Sequence, residues 1–587
     1  MRFKHSLLVL AIAGALSACG GSSDSSTPDN NTGGDNTGGD NTGSTTTVVT
    51  KGVITGFGSV YVNGQRYGSD NAAIAVGNSP AADEAQLRVG MVVTVAASAS
   101  NNGEDPEAEQ ITYEESLQGP VAFIDREAEQ IEVLGQTVIY DDLTEFEGAD
   151  IQTLTIGNLV EISGYINENG DFYATLVELE DEETDIKLKG NVANLDTDAT
   201  TFTLGDLTIN YSTAQFEDMS VEDLADGLFV KVEGEGESYN SDSNTLTVAT
   251  IENKEDLDLD EDTDEVTIAG IVKNYDEEAG TFSVNQYDFV VSDSTEFEDG
   301  TADTLANGII VKVEAVLDGD QLVAEEVEFK ARDARSKVEG QVTDIDAEAM
   351  TFVLNDTTFT VTSETQYEDE SDLDERRFTF DNIEVNDWLK VVSRQDDEGN
   401  AIALKVKRIE EDERDGEVKG RVSAVSTEGM TIANANVTFD ENTEFEDDDG
   451  TISLEDFIAL VESLNAVIVE VEGNYVDGSL LATEVEVENV SGEGDDDDNG
   501  RPDNTGKAEF KGAVESIEGD AVFVNGKELR FAEDAELELN DEEVDVVTFI
   551  EALDVGTVIE IEGVWVEESY ILVKEAEVEN EDDDGEE

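Results

Sequence analysis

The sequence predicts an all-β protein, mainly antiparallel, built from seven similar small domains in tandem behind an unstructured N-terminal tether. Three observations predict it. Hairpin patterns recur: around Asn169-Gly170, Val160 and Ile162 alternate with polar residues before the turn, and Ala174 and Leu176 resume after it. The same pattern returns at 307–330 around Asp318-Gly319 and at 465–490 around Asp477-Gly478. Period-two alternation about an Asn-Gly or Asp-Gly pair marks a hairpin, because both turn residues tolerate positive φ. Next, a glycine opens each copy inside an apolar strand pattern, at Gly52, Gly119, Gly190, Gly270, Gly340, Gly420 and Gly512. Their spacing, roughly 70–90 residues, belongs to small domains and not to a solenoid of short repeats. Finally, a short motif recurs: TEFE at 144–147, 295–298 and 443–446, AQFE at 214–217, TQYE at 365–368 and AELE at 535–538.

The boundaries that follow are a signal peptide (1–18), a tether (19–49), and repeats at 50–115, 116–180, 187–253, 266–330, 336–410 and 417–490. An acidic linker (491–507), a seventh repeat (508–580) and an acidic tail (581–587) complete the chain. Within each repeat a first strand carries the glycine and a second follows, such as Val60–Val62. A tight turn, most open at Asn63-Gly64 and Asn525-Gly526, leads to a third strand. The motif comes next, with Phe146, Phe216, Phe297, Tyr367, Phe445 and Leu537 on one face and the acids on the other. The first repeat lacks it, and Ile74 takes its place. An insert then precedes the second hairpin. In the sixth repeat residues 452–464 have the apolar spacing of an amphipathic helix behind Ser453, and the seventh has the similar VDVVTFIEAL. So small a half-buried sheet must curl and close to cover its apolar face and its edges. An OB-like barrel of five or six strands satisfies this. A string of immunoglobulin-like sandwiches is the alternative, although each needs about 100 residues.

Composition excludes much chemistry. The one histidine, His5, lies in the signal segment, and Cys19 is the only cysteine. The mature chain therefore has no internal disulfide, no histidine base, no cysteine–histidine pair and no nitrogen- or thiolate-ligated zinc. There are 143 acidic against 32 basic residues, a formal charge of −111. Nucleic acid is excluded as a partner, since phosphate binding works through Lys and Arg. Like charges in the linkers, among them KEDLDLDEDTDE at 254–265, predict an extended string.

Several residues could carry function. The flanking acids of the motif could form a cation site; the structural reading is a core aromatic with solvated neighbours. Asp495-x-Asp497-x-Asn499-Gly500-x-x-Asp503, with the Arg501 carbonyl, places oxygen ligands and a glycine as the first half of a calcium loop does. Gly506 stands where the bidentate glutamate would, so a plain acidic linker is the competing reading. No other cofactor is suggested. Tyr61, Tyr165, Tyr475 and Trp565 lie on outward strand positions, where they could stack on sugars or cover cross-strand neighbours. The segment from Lys330 to Arg421 holds 14 of the 32 Lys and Arg, which reads as ordinary surface variation or as a docking point for an acidic domain.

Three resemblances extend this reading. Arg2 and Lys4, an apolar run at 7–16, and Leu16-Ser17-Ala18-Cys19 resemble the lipobox of bacterial lipoproteins. That resemblance implies acylation of Cys19 and, with Gly20 following it, a lipid anchor in the outer membrane of a Gram-negative envelope. The 495–503 loop resembles thrombospondin type 3 calcium repeats. The pattern G-x-[VI], then T-x-F-E, then V-G-x-x-V, then D-G-x-[LY]-x-A is similar to the domain-of-unknown-function family 5666, over 52–180, 188–330, 337–490 and 508–580. That family implies fold and location and carries no catalytic residues. The expectation is a non-enzymatic, acidic, extended spacer or binding array at the cell envelope, with calcium as its one suggested ion. Its expected partners are the membrane, through the lipid, and an envelope polysaccharide or protein. The alternative is a carboxylate-only glycoside hydrolase, or a carbohydrate-binding protein, acting on envelope polysaccharide.

Overall fold

The fourth repeat shows the plan. Its first strand, Thr263–Asp276, pairs antiparallel with the second, Thr281–Val284, which pairs with the third, Tyr287–Val290. The third strand runs parallel to the fifth, Gln321–Phe329; the fifth pairs antiparallel with the fourth, Ile310–Asp318, and the fourth returns to the first. The order 1-2-3-5-4-1, closed into a ring with the insert between strands three and four, is that of the OB fold. These positions belong to a computed structural model that describes residues 46–578 apart from 100–104, 181–184, 255–262, 331–334, 411–415, 491–506 and stretches of one to three residues. Among the described residues the same closure appears in all seven repeats, mainly antiparallel as predicted.

Sequence periodicity places the strands because each puts alternate residues inward. Val266, Ile268, Phe282, Phe289, Val311 and Val327 fill the fourth barrel. Phe282 and Phe289, opposite one another in the second hairpin pairing, stack at 5.4 Å, and Phe352 and Phe359 repeat the pair in the fifth barrel. Such pairs add about 0.5–1.5 kcal/mol beyond the area they bury. The marker glycine also has a reason. Asn355, at positive φ in the turn after the second strand, donates from Nδ2 to Glu339 O at 2.9 Å. A Cβ on the neighbouring Gly340 would lie 2.6 Å from Asn355 Oδ1, so the position must stay bare. Asn285 meets Ala269 O beside Gly270 in the same way.

The inserts follow prediction where they are long. Helices occupy Leu454–Ser463 and Val546–Ala552, with Phe457 and Phe549 fully buried beneath them. Ile74 stands in for the missing motif: it is buried on Ala73–Val76, which runs parallel to the fifth strand with Ile74 opposite Ile111.

Two expectations are corrected. The first strand begins at Thr46, inside the stretch assigned to the tether, because residues 47–51 pair parallel with the first strand of the fourth repeat. The repeats are also not an extended string, and sheets run from one barrel into the next. Lys187–Leu188 of the third repeat pair with Leu117–Gln118 of the second, and Lys337 of the fifth pairs with Lys419 of the sixth. Linker repulsion is overridden by this strand sharing and by the ion pairs described next.

Candidate functional site: the charged seams between repeats

The motif builds the barrel before it offers any chemistry. Between its two pairings with the fifth strand the third strand bulges outward; in the fifth repeat the register jumps from Val361↔Ala403 to Gln366↔Lys405. Thr365 bridges the gap, donating from Oγ1 to Ala403 O at 2.8 Å and accepting from Thr362 N at 2.9 Å. Thr144, Thr295 and Thr443 make the equivalent bonds to Ala174, Ala324 and Ala482. A carbonyl that the ladder would leave bare is thereby satisfied. Alternation singled out the aromatic and the acids and missed this threonine, although a signal was present. Where Thr stands the partner is Ala, and in repeats three and seven, with Ala214 and Ala535, the partner positions are Val248 and Val573. The central motif residues belong to the core: Phe445 and Leu537 are buried, and Phe146, Phe216, Phe297 and Tyr367 pack against their cores.

The motif acids stand in cross-strand rows. Glu298 pairs with Glu328, and Glu328 with Lys312; Glu217, Glu252 and Lys231 repeat the row in the third barrel. Carboxylate oxygens of Glu298, Glu326 and Glu328 lie within 4.8 Å of one another, the one such group among the described residues. Its most enclosed member, Glu328, already has Lys312 Nζ at 2.6 Å and Lys330 beside it. The protein's own ammonium groups take the place that a metal would need.

Those rows lead into the seams, where the scarce basic residues gather. Glu114 and Glu115 connect the first two repeats and meet four lysines from the third repeat and its exit. Lys187 and Lys231 lie 2.8 and 3.5 Å from Glu115; Lys254 and Lys189 lie 2.7 and 3.1 Å from Glu114. Glu233 and Glu252 complete the group at 2.9 and 2.8 Å, so four carboxylates meet four ammonium groups. Burial pushes the Glu114 carboxyl up, but Lys189 and Lys254 outweigh it and hold it down at about 2.

The fifth repeat is the centre of the other seams. Toward the second repeat, Arg335 reaches Asp141 at 2.6 Å and Lys337 reaches Asp142 at 3.7 Å. Lys405 Nζ lies 2.8 Å from Glu145 Oε2 and 3.9 Å from Glu368 Oε2. Toward the first repeat, Arg376 covers the Phe57 ring at 3.7 Å and donates to Leu87 O, while Arg377 pairs with Glu84. Arg394 pairs with Asp299 and Lys330 with Glu364 across the boundary with the fourth repeat. Arg335, Lys337, Arg376, Arg377, Arg394 and Lys405 of this segment therefore form docking surface, and the reading as ordinary surface variation is corrected.

Tyr165, offered as a sugar platform, is also a seam residue, buried with Ile139 and Tyr173 against Ala269 and Ile271 of the fourth repeat. Tyr61 stays partly exposed on its strand, and Tyr475 packs against the core shared by the fifth and sixth repeats. Cys19, the calcium-loop candidates Asp495, Asp497, Asn499, Arg501 and Asp503, and the Trp565 side chain lie outside the described residues.

The fold thus defines a class: tandem five-stranded OB-like barrels that share sheets. The chain belongs to the family described as Domain of unknown function (DUF5666), whose model matches residues 118–178, 189–241, 269–328, 339–407, 419–486 and 511–571. No curated protein matches. Five chains of solved structures match; one is described as drosophila Unr CSD456, at 15% identity and a TM-score of 0.11, over 37% of this chain and 97% of that one.

Proposed function

We propose that this protein is a non-enzymatic cell-envelope lipoprotein, a highly acidic multidomain spacer or binding array anchored in the outer membrane by lipid on Cys19. The observation that carries this reading is the repetition of equivalent barrels whose basic residues turn into the seams, in a chain with 143 acidic against 32 basic residues. Such a surface collects cations and cationic groups of a polysaccharide or protein partner, and repels nucleic acid. Equivalent copies serve reach and avidity better than turnover. A buried carboxyl pair with divided acidity does occur, at Glu145 and Glu368, and that division is what a glycoside hydrolase uses. Glu145 is 4% exposed between two repeats, which leaves no approach for a sugar chain.

Three experiments test the proposal. Metabolic labelling with a palmitate analogue should mark the wild type and not Cys19→Ser; equal labelling of both ends the lipoprotein reading. Activity or binding lost in one step with a single repeat, instead of gradually with successive deletions, would favour the enzyme. Calcium titration of the full chain beside Asp497→Asn and Asp503→Asn separates a discrete loop site, which the variants weaken, from diffuse binding, which they leave unchanged.

A further inference from the structure

The seam between the second and fifth repeats has an unbalanced centre. Three carboxylates, Glu145 from the second repeat and Glu368 and Glu370 from the fifth, surround two ammonium groups. Lys405 lies 2.8 Å from Glu145, and Lys407 lies 2.9 Å from Glu368 and 2.7 Å from Glu370. The neighbouring charges balance among themselves: Arg335 with Asp141, and Lys337 and Lys390 with Asp142 and Glu417. Lys405 also donates to Thr144 O at 3.4 Å, so part of its hydrogen-bonding capacity goes to the backbone. Glu145 is buried, and its Oε1 receives no hydrogen bond. Glu368 faces the same ammonium group, with its Oε2 3.9 Å from Lys405 Nζ, and that oxygen too receives no hydrogen bond. Two ionised carboxylates cannot hydrogen-bond each other; one carboxyl and one carboxylate can.

We propose that one proton, shared by Glu145 and Glu368, completes this seam, and that its loss loosens the second repeat from the fifth. The proton supplies the missing donor, brings the centre to neutrality and needs no room among the lysine heads. The acidities agree with this. Burial and the nearby Glu368 push Glu145 up to about 7, while Lys405 and Lys407 outweigh burial at Glu368 and keep it low. The proton belongs to the pair, which titrates as a unit near neutrality. The proton's contribution to closure is therefore fully present below the unfolded value of 4.5 and is lost as pH rises through about 7.

Hydrogen exchange on the full chain tests the clasp, after correction for the intrinsic pH dependence of exchange. Amides at 144–147 and 403–407 should exchange faster above the transition than below it, by about tenfold for each pH unit between the unfolded and folded values. Glu145→Gln, which keeps the donor and removes the charge, should hold the seam closed throughout and abolish the dependence. Difference infrared spectroscopy gives a second readout: a buried protonated carboxyl band that disappears with a midpoint near pH 7 and is missing from Glu145→Gln. Should the variant not fold, the wild-type band decides alone. Exchange independent of pH, a midpoint below 5, or a Glu145→Gln seam more open than wild type at pH 6 would overturn the proposal.

Discussion

Two seams in this molecule each bury a glutamate to nearly the same depth, Glu115 at 5% exposed and Glu145 at 4%, and treat the two in opposite ways. At the first, Glu114 and Glu115 meet four lysines, and both carboxyls are held below the ordinary value. At the second, Glu145 shares two lysines with Glu368 and Glu370, and it is raised. Burial pushes every one of these carboxyls in the same direction, so depth cannot explain the difference. The number of ammonium groups within reach can. In a chain so short of basic residues, the placing of lysines decides which contacts are permanent and which depend on pH.

The largest test of this contrast is to remove a lysine from each seam. Lys231→Met should leave buried Glu115 and Glu233 short of charge and cost about 3–5 kcal/mol, the same at pH 6 and pH 8. Exchange of the Phe229–Gly234 amides measures it, and a cost below about 1 kcal/mol would show that the four lysines are redundant. Lys405→Met should cost much less at pH 6, where a proton can replace the ammonium, than at pH 8. Equal costs at the two pH values would erase the distinction between the seams.

Acid should act on Glu114 and on Glu145 in opposite senses. Glu114, depressed to about 2, contributes stability present above 4.5 and lost as the pH falls toward 2. Protection at Ile186–Asn191 should therefore fall between pH 4.5 and 2, whereas the contribution of the Glu145 proton is lost only as the pH rises through about 7. Salt should act more evenly. Raising monovalent salt from about 0.1 M to 1 M shortens the screening length from about 10 to 3 Å. Relief of surface repulsion should then raise every melting transition, without saturating at low concentration, while the buried pairs change little. A net fall in melting temperature would mean that the seams are screened as strongly as the surface. The smallest effect calibrates the rest from inside one barrel: Thr365→Ala, which strands the Ala403 carbonyl, should cost about 1–3 kcal/mol regardless of pH and salt.

What the sequence displayed and what it concealed divide along the same line. Alternation, turn pairs and the marker glycines act within a few residues, so the strands and the helix at Leu454–Ser463 could be read directly. The parallel pairing of the third and fifth strands joins segments separated by the insert and the fourth strand, and no local pattern announces it. Thr365 and Ala403 were legible only as a covarying pair across repeats. The cluster of 14 basic residues was plain in the sequence, but its partners, Glu84, Asp141, Glu145 and Asp299, are scattered through three other repeats. Charge count alone could not choose between exposed surface and seam.

The strand Thr46–Phe57 has a consequence in time. Residues 47–51 pair with the first strand of the fourth repeat, so their partner is made roughly 200 residues later, some 10–40 s at usual rates of synthesis. Until then Val48 and Val49, buried in the finished protein, form an open strand edge that other chains could occupy. The opening segment of the folded region is thus among the last to be completed. A chaperone that covers unpaired strands would matter most to this protein at the opening of its folded region.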